Sequence, residues 1–176
     1  MSGQPIGVIG AGAWGTALAQ ALASDGTPVL LWAREAELVA EINARTPTAC
    51  SCPAPPRPAI RATGDLADLA SCRAAGGRPG AVPGRVLAGL PGPRDLVLCA
   101  KGIEAGTGRL MADVAAIAAP ADRQLAVLSG PTFAHEVAAG LPTAVTLACA
   151  GGEAQWARLA PALSPARRCG PTIRMT

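Results

Sequence analysis

Three glycines near the N-terminus, Gly10, Gly12 and Gly15, stand at the spacing G-x-G-x-x-G within Gly10-Ala11-Gly12-Ala13-Trp14-Gly15. That spacing suits a turn wrapped against a pyrophosphate. The first glycine permits a tight bend, the second lets phosphates approach the backbone, and the third lets a helix pack closely on the preceding strand. A helix opening there offers free N–H groups and a positive dipole end to an anion. Farther on, Arg34 follows an apolar run, where an arginine can meet a ribose 2′-phosphate and an acid would meet a 2′-hydroxyl. Arg34 reads equally as a solvated loop charge. Lys101 follows another apolar run. A cation there can hold an anionic substrate or polarise a carbonyl oxygen, or it can be a solvated charge at a strand end. Ser129-Gly130-Pro131-Thr132 supplies a hydroxyl and backbone N–H groups in a comparable place, with Thr132 alternatively capping the helix that follows.

The elements that must position these residues are legible from the apolar pattern. Ile6-Gly7-Val8-Ile9 is a short run with β-branched residues, suited to a buried parallel strand. Beyond the glycines, Ala17, Leu18, Ala21 and Leu22 recur at helical spacing, and Ser24-Asp25-Gly26 ends the helix. Val29-Leu30-Leu31-Trp32 is a second strand and completes a βαβ unit, the context that gives the glycine motif its meaning. Residues 96–114, LVLCAKGIEAGTGRLMADV, read as a strand ending in Lys101-Gly102, then a turn and a helix. Residues 125–148, LAVLSGPTFAHEVAAGLPTAVTLA, read as a strand, a Gly-Pro turn, a short helix and another strand. This alternation predicts an α/β fold of the Rossmann type, a doubly wound and mostly parallel sheet. Lys101 and the Ser129–Thr132 turn then share the ligand crevice at the carboxyl ends of the strands.

Composition narrows the function classes. A chain of 176 residues builds one domain with a sizeable core, or one domain and a fragment. Trp14, Trp32, Trp156 and Phe133 are all the aromatic residues, so Ala, Val, Leu and Ile must fill the core. The net charge of +3, with no basic run alternating with aromatics, argues against nucleic-acid binding. No run of about 18 apolar residues is present to span a membrane. The N-terminal apolar segment lacks a basic flank and reads as mature structure. The six cysteines form no C-x-x-C pair and no His stands at zinc spacing, which points to reduced cytoplasmic thiols and no metal site.

K-G-x-E at Lys101–Glu104 and S-G-P-T-F-A-x-E at Ser129–Glu136, in this order after G-x-G-x-W-G, resemble the bacterial NAD(P)-dependent glycerol-3-phosphate dehydrogenases. PAIRATGDLADLA, residues 58–70, matches a further segment of that family. The resemblance covers most of residues 4–46, 58–71 and 86–165. It implies cofactor contacts at Ala13, Trp14, Arg34, Lys101 and Ala134, beside the glycine turn at Gly10, Gly12 and Gly15. It implies substrate contacts at Lys101, Gly130 and Thr132. The cofactor would be NAD or NADP, with Arg34 leaning towards NADP. The substrate pair would be glycerol 3-phosphate and dihydroxyacetone phosphate, serving phospholipid synthesis, and the full-length family would form a homodimer. His135, the only histidine, titrates near neutrality but falls at a variable position of the family motif. We read it as a helix-surface residue, and no catalytic residue is assigned.

The family is about twice this length, with a helical second domain that carries the proton-transferring lysine. The expectation is therefore an NAD(P)-binding domain over residues 1–165, without the helical domain, inactive alone. The alternative is a nucleotide-binding module or a truncated product without catalysis. Three stretches depart from the family pattern: residues 47–57 (PTACSCPAPPR), 72–85 (CRAAGGRPGAVPGR) and the tail at 166–176 (ARRCGPTIRMT). Each mixes Pro, Gly, Arg and Cys without periodicity. They read either as translation out of frame from a GC-rich gene or as divergence into loops. With GC-rich codons, TACSC and the following Pro can be re-read one frame over as Arg-Leu-Leu-Leu-Pro-Gly, the loop missing from the family pattern. The second stretch falls where a buried strand belongs, so a strand at 74–82 is expected to be lost.

Overall fold

The computed structural model describes residues 4–44, 56–72, 74–77 (backbone only) and 95–164. The element order is β1 (Ile6–Ile9), α1 (Ala13–Leu22), β2 (Val29–Trp32), α2 (Ala36–Asn43), β3 (Ile60–Thr63) and a 3-10 helix (Leu66–Ser71). There follow β4 (Ala74–Gly77), β5 (Asp95–Leu98), α3 (Met111–Ala118), β6 (Gln124–Ser129), α4 (Ala134–Ala138), β7 (Thr146–Cys149) and α5 (Gly152–Leu163). The sheet runs β3-β2-β1-β4-β5-β6-β7. All neighbours are parallel except β6 and β7, which are antiparallel. Strand order reverses between β1 and β4. In sheets of this kind that reversal opens a crevice at the carboxyl ends of the strands, where ligands bind.

Both sheet faces are covered, as buried parallel strands require. Successive side chains of a strand point to opposite faces. Ile6 and Val8 of β1 accordingly join one apolar cluster with Leu18 and Leu22 of α1 and Leu159 and Leu163 of α5. Ile9 joins another, with Leu96 and Leu98 of β5, Ala115 of α3 and Leu69. On the amino-terminal side of the sheet, buried Asp95 accepts from Arg158 Nε at 3.3 Å and Nη2 at 3.2 Å, which ties α5 to β5. Arg158 Nη2 also donates to Gln124 Oε1 at 2.6 Å.

One expectation fails. The strand foreseen as lost is present as β4, in the centre of the sheet. Its four residues, Ala-Ala-Gly-Gly, pair in parallel with β1 from Ile6↔Ala74 to Ile9↔Gly77 and with β5 from Ala74↔Asp95 to Gly77↔Leu98. The physical reason is that ladder hydrogen bonds come from the backbone, which every non-proline residue carries in full. A slot bounded by two ready strands needs no β-branched sequence to fill it. Of the three unusual stretches, residues 47–55, 73, 78–85 and 166–176 lie outside the described residues, as does the tail's proposed boundary.

Candidate functional site

The three glycines of the opening motif serve three different needs. Gly10 has φ +97°, a left-handed conformation that L side chains rarely adopt, so the turn itself requires it. Gly15 is needed for space. A Cβ there would lie 1.8 Å from the Gly10 carbonyl oxygen, so helix α1 can start only if this position is bare. Gly12 is neither strained nor crowded: its φ is −72° and a Cβ would meet nothing within 4 Å among the described residues. The protein's own packing leaves that volume open. Gly15→Ala is therefore expected to destabilise the fold by about 1–3 kcal/mol through overpacking against backbone, read as a lower urea midpoint. Stability equal to the parent's would show that the turn can move aside.

Helix α1 begins at this opening without a side-chain cap and without an acidic residue in its first turn. Its first N–H groups therefore remain available to an anion. The Gly10 N–H donates to the Trp32 carbonyl at 2.9 Å and fixes the turn against the end of β2. Arg34 follows at once, exposed, with Nη2 3.0 Å from Glu35 Oε1. A nicotinamide dinucleotide fits these features, since the open face at Gly12 and the uncapped helix suit its pyrophosphate.

Past the turn, a cavity of about 250 Å³ is lined by Trp14, Cys99, Lys101, Leu128, Ser129, Gly130 and Thr132. Three sequence positions far apart meet here because β1, β5 and β6 end on one edge of the sheet. Lys101 is exposed, and its Nζ donates to the Gly130 carbonyl at 3.0 Å, joining the loops after β5 and β6. Gly130 is held for packing, since a Cβ would lie 2.6 Å from the Ala144 carbonyl oxygen and 3.1 Å from Val145. The Thr132 N–H donates to the Gly130 carbonyl at 3.0 Å. Phe133, not Thr132, occupies the N-cap of α4, which leaves the Thr132 side chain to the cavity and disposes of the capping alternative.

Trp14 brings a buried indole Nε1 with no hydrogen-bond partner among the described residues. Burial pushes the neighbouring Cys99 thiol up to about 11, and the Trp14 indole beside it offsets this only in part. A thiol is a weak acceptor, so we count the indole N–H as unsatisfied. With its pKa so raised, Cys99 is a protonated wall of the site rather than a nucleophile. Burial also raises the Cys72 and Cys149 thiols.

Trp14, Lys101, Gly130 and Thr132, four of the residues singled out in the sequence, thus share one cavity. Ala13 opens α1 and is exposed, while Ala134 opens α4; neither lines the cavity, and nor does Arg34. His135 is exposed on α4 and stacks on Phe133 with ring centroids 5.8 Å apart. Sequence reasoning passed over Cys99 and Leu128 as lining residues. Cys99 stands two residues before Lys101, and in extended chain residues two apart share a face, so the signal was present. Among the described residues, no group of three or more His, Cys, Asp or Glu could hold a metal ion. No helix among them is long and apolar enough to cross a membrane.

The comparisons with known proteins agree with this geometry. The family described as NAD-dependent glycerol-3-phosphate dehydrogenase N-terminus matches residues 5–75 and 81–155. The glycerol-3-phosphate dehydrogenase [NAD(P)+] of Novosphingobium aromaticivorans is 60% identical over 170 residues, covering 90% of this chain and 49% of that protein. The corresponding protein of Erythrobacter litoralis is 59% identical over 162 residues, covering 90% and 48%. A crystal structure of glycerol-3-phosphate dehydrogenase from Coxiella burnetii superposes with a TM-score of 0.81 at 32% identity, over 98% of this chain and 53% of that one. The chain spans about half the length of these relatives. A glycine turn opening onto the strand-reversal crevice, and a family match running through almost every described element, lead to one assignment: the chain belongs to the NAD-dependent glycerol-3-phosphate dehydrogenase family and represents its N-terminal, NAD-binding domain.

Proposed function

We propose that this domain, residues 1–165, binds NAD or NADP across the strand reversal and presents its nicotinamide to glycerol 3-phosphate beside Lys101. The observation that carries this reading is the cavity itself, where Trp14 from the glycine-turn helix meets Lys101 and the Gly130–Thr132 turn. Its volume of about 250 Å³ is below the roughly 300–1,000 Å³ of a whole small-molecule site. That suits the reacting end of a dinucleotide together with a three-carbon substrate, with the rest of the cofactor lying along the open glycine turn. Gly10, Gly12, Ala13, Trp14, Gly15, Arg34, Lys101 and Ala134 form the cofactor side of the proposal. Lys101, Gly130 and Thr132 form the substrate side.

When bound, the cofactor supplies a hydride acceptor for the alcohol carbon of the substrate. This chain's own residues bind and orient. The α1 N-terminus and Gly12 hold the pyrophosphate. The Lys101 ammonium, already aimed at Gly130, faces the substrate's anionic end or its developing carbonyl. The Thr132 hydroxyl donates to a substrate oxygen. In the relatives' full-length context the product is dihydroxyacetone phosphate, and the site is that of a cytoplasmic, homodimeric enzyme of phospholipid synthesis. The same reading favours out-of-frame translation for residues 47–57, 72–85 and 166–176, which the nucleotide sequence of the gene tests directly.

Titration of the purified chain with NADH and with NADPH, followed by nicotinamide fluorescence, tests the binding claim. Saturable binding of at least one is expected, and its absence for both would sink the proposal. Arg34→Asp separates the two cofactors. One charge-assisted hydrogen bond is worth about 1.5–3 kcal/mol, so NADPH should weaken about tenfold or more relative to NADH. An unchanged ratio would leave Arg34 a surface charge.

A further inference from the structure

The ion pair beside the glycine turn bears on which cofactor the domain prefers, and this step rests on the dinucleotide reading above. Arg34 directs both Nε, at 3.3 Å, and Nη2, at 3.0 Å, to a single oxygen, Oε1 of Glu35. The pair is open to solvent, with side chains 80% and 53% exposed. The backbone beneath it is pinned. Ala33 N–H donates to the Thr63 carbonyl at 3.0 Å, and Trp32 Nε1 donates to the Gly64 carbonyl at 3.0 Å.

The surroundings are acidic. Glu37 lies in the first turn of α2. Asp65 caps the 3-10 helix by accepting from the Ala67 N–H at 2.8 Å. Asp68 takes the Thr63 hydroxyl. Trp32 pairs with Thr63 in the β2–β3 register, so these acids flank the same end of the sheet as Arg34. Arg61, on β3, pairs with Leu30 and sits two residues back from that end. A hydrogen bond from its own backbone, then the Arg34 guanidinium, lower the Glu35 carboxyl from its ordinary value.

We propose that Glu35 sets the cofactor preference of this domain: its carboxylate occupies the Arg34 guanidinium, competes there with a ribose 2′-phosphate, and accepts a hydrogen bond from a free 2′-hydroxyl. An incoming phosphate must displace Glu35 and then lie beside it, a like-charge contact. A 2′-hydroxyl carries the donor that a carboxylate needs. Arg34 alone leans towards NADP; the pair weakens that lean.

The test is Glu35→Gln, with Glu37→Gln as a control that removes the same formal charge nearby. Glu35 makes no side-chain cap to α2, so the substitution spares the helix start. Dissociation constants for NADH and NADPH are measured on the whole chain at low and at physiological salt. Exposed ion pairs have small net worth, so the NADPH-to-NADH affinity ratio should rise about two- to fivefold in Glu35→Gln. It should move less in Glu37→Gln, and the gain should shrink with salt. An unchanged ratio with binding intact overturns the proposal alone, and so does an equal shift in both variants. Failure of every protein, parent included, to bind either nucleotide overturns the dinucleotide reading and this proposal with it.

Discussion

Gly12→Val is expected to abolish measurable nucleotide binding while leaving the domain folded. The backbone at Gly12 is ordinary for an L residue, with φ −72° and ψ −178°, and a Cβ there meets nothing within 4 Å among the described residues. The cost therefore falls on a ligand and not on the protein. A valine side chain would stand in the volume that the pyrophosphate needs and screen the free N–H groups of α1. Losing two hydrogen bonds to a charged group, at about 1.5–3 kcal/mol each, corresponds to more than a hundredfold in affinity. Fluorescence titration with NADPH and NADH beside a thermal melt makes the comparison. Unchanged affinity would remove the glycine turn from the site, and a collapsed melting transition would show a structural role at Gly12. Gly10→Val would not make the same test, because φ +97° strains any side chain there.

The second large effect concerns turnover. The chain as it stands is expected to show no measurable oxidation of glycerol 3-phosphate, even with cofactor bound. Removing a proton from the alcohol needs a base within hydrogen-bond reach, poised near neutral pH, and such a base is worth about 10²–10⁴ in rate. Among the described residues that line the cavity, none fits. Cys99 holds its proton up to about 11. Lys101 is a cation engaged with the Gly130 carbonyl, and it cannot hold the substrate's anion and accept its proton together. Ser129 and Thr132 are hydroxyls with no adjacent base lining the cavity. The relatives have about as much chain again, which is where a base can come from. Placing this domain in a chain of the relatives' full length should restore turnover. In that protein Lys101→Ala should cut kcat/KM strongly. A spectrophotometric assay of NAD(P)H on the two purified proteins decides it, and turnover by the 176-residue chain itself would refute the expectation.

Much of the site's frame was legible in the sequence for a physical reason. A G-x-G-x-x-G turn between a strand and a helix is a backbone constraint, and Gly10 and Gly15 carry it in the structure as φ and as missing volume. Val29–Trp32 formed the strand expected of its apolar run. Lys101 and the Ser129–Thr132 turn meet because both follow parallel strands, and parallel strands end on one edge. Other features could not be read ahead. Gly130 looks like a ligand-facing glycine, yet its bareness answers to Ala144 and Val145, residues brought to it where β7 pairs antiparallel with β6. The Arg34–Glu35 contact joins sequence neighbours, but nothing in their order says that the guanidinium turns to its neighbour and not to solvent. β4 was invisible because Ala-Ala-Gly-Gly shows neither β-branching nor alternation. Its strand character comes from the two strands that flank it.

That central strand has a consequence for how the sheet comes apart. To one side lie β1, β2 and β3, bearing the glycine turn and Arg34; to the other lie β5, β6 and β7, bearing Lys101 and Thr132. What joins them along the sheet is four residues of the two types with least side chain to bury, held by ladder bonds on either edge. Glycine also gives up the most conformational freedom on ordering. Cohesion across the centre therefore rests on the apolar clusters of the two faces, where Ile6 and Val8 join Leu159 and Leu163 and Ile9 joins Leu96 and Leu98, beneath the crevice where the cofactor's two ends would lie. A nucleotide spanning that crevice would touch both halves, and its binding would add to their cohesion by mass action.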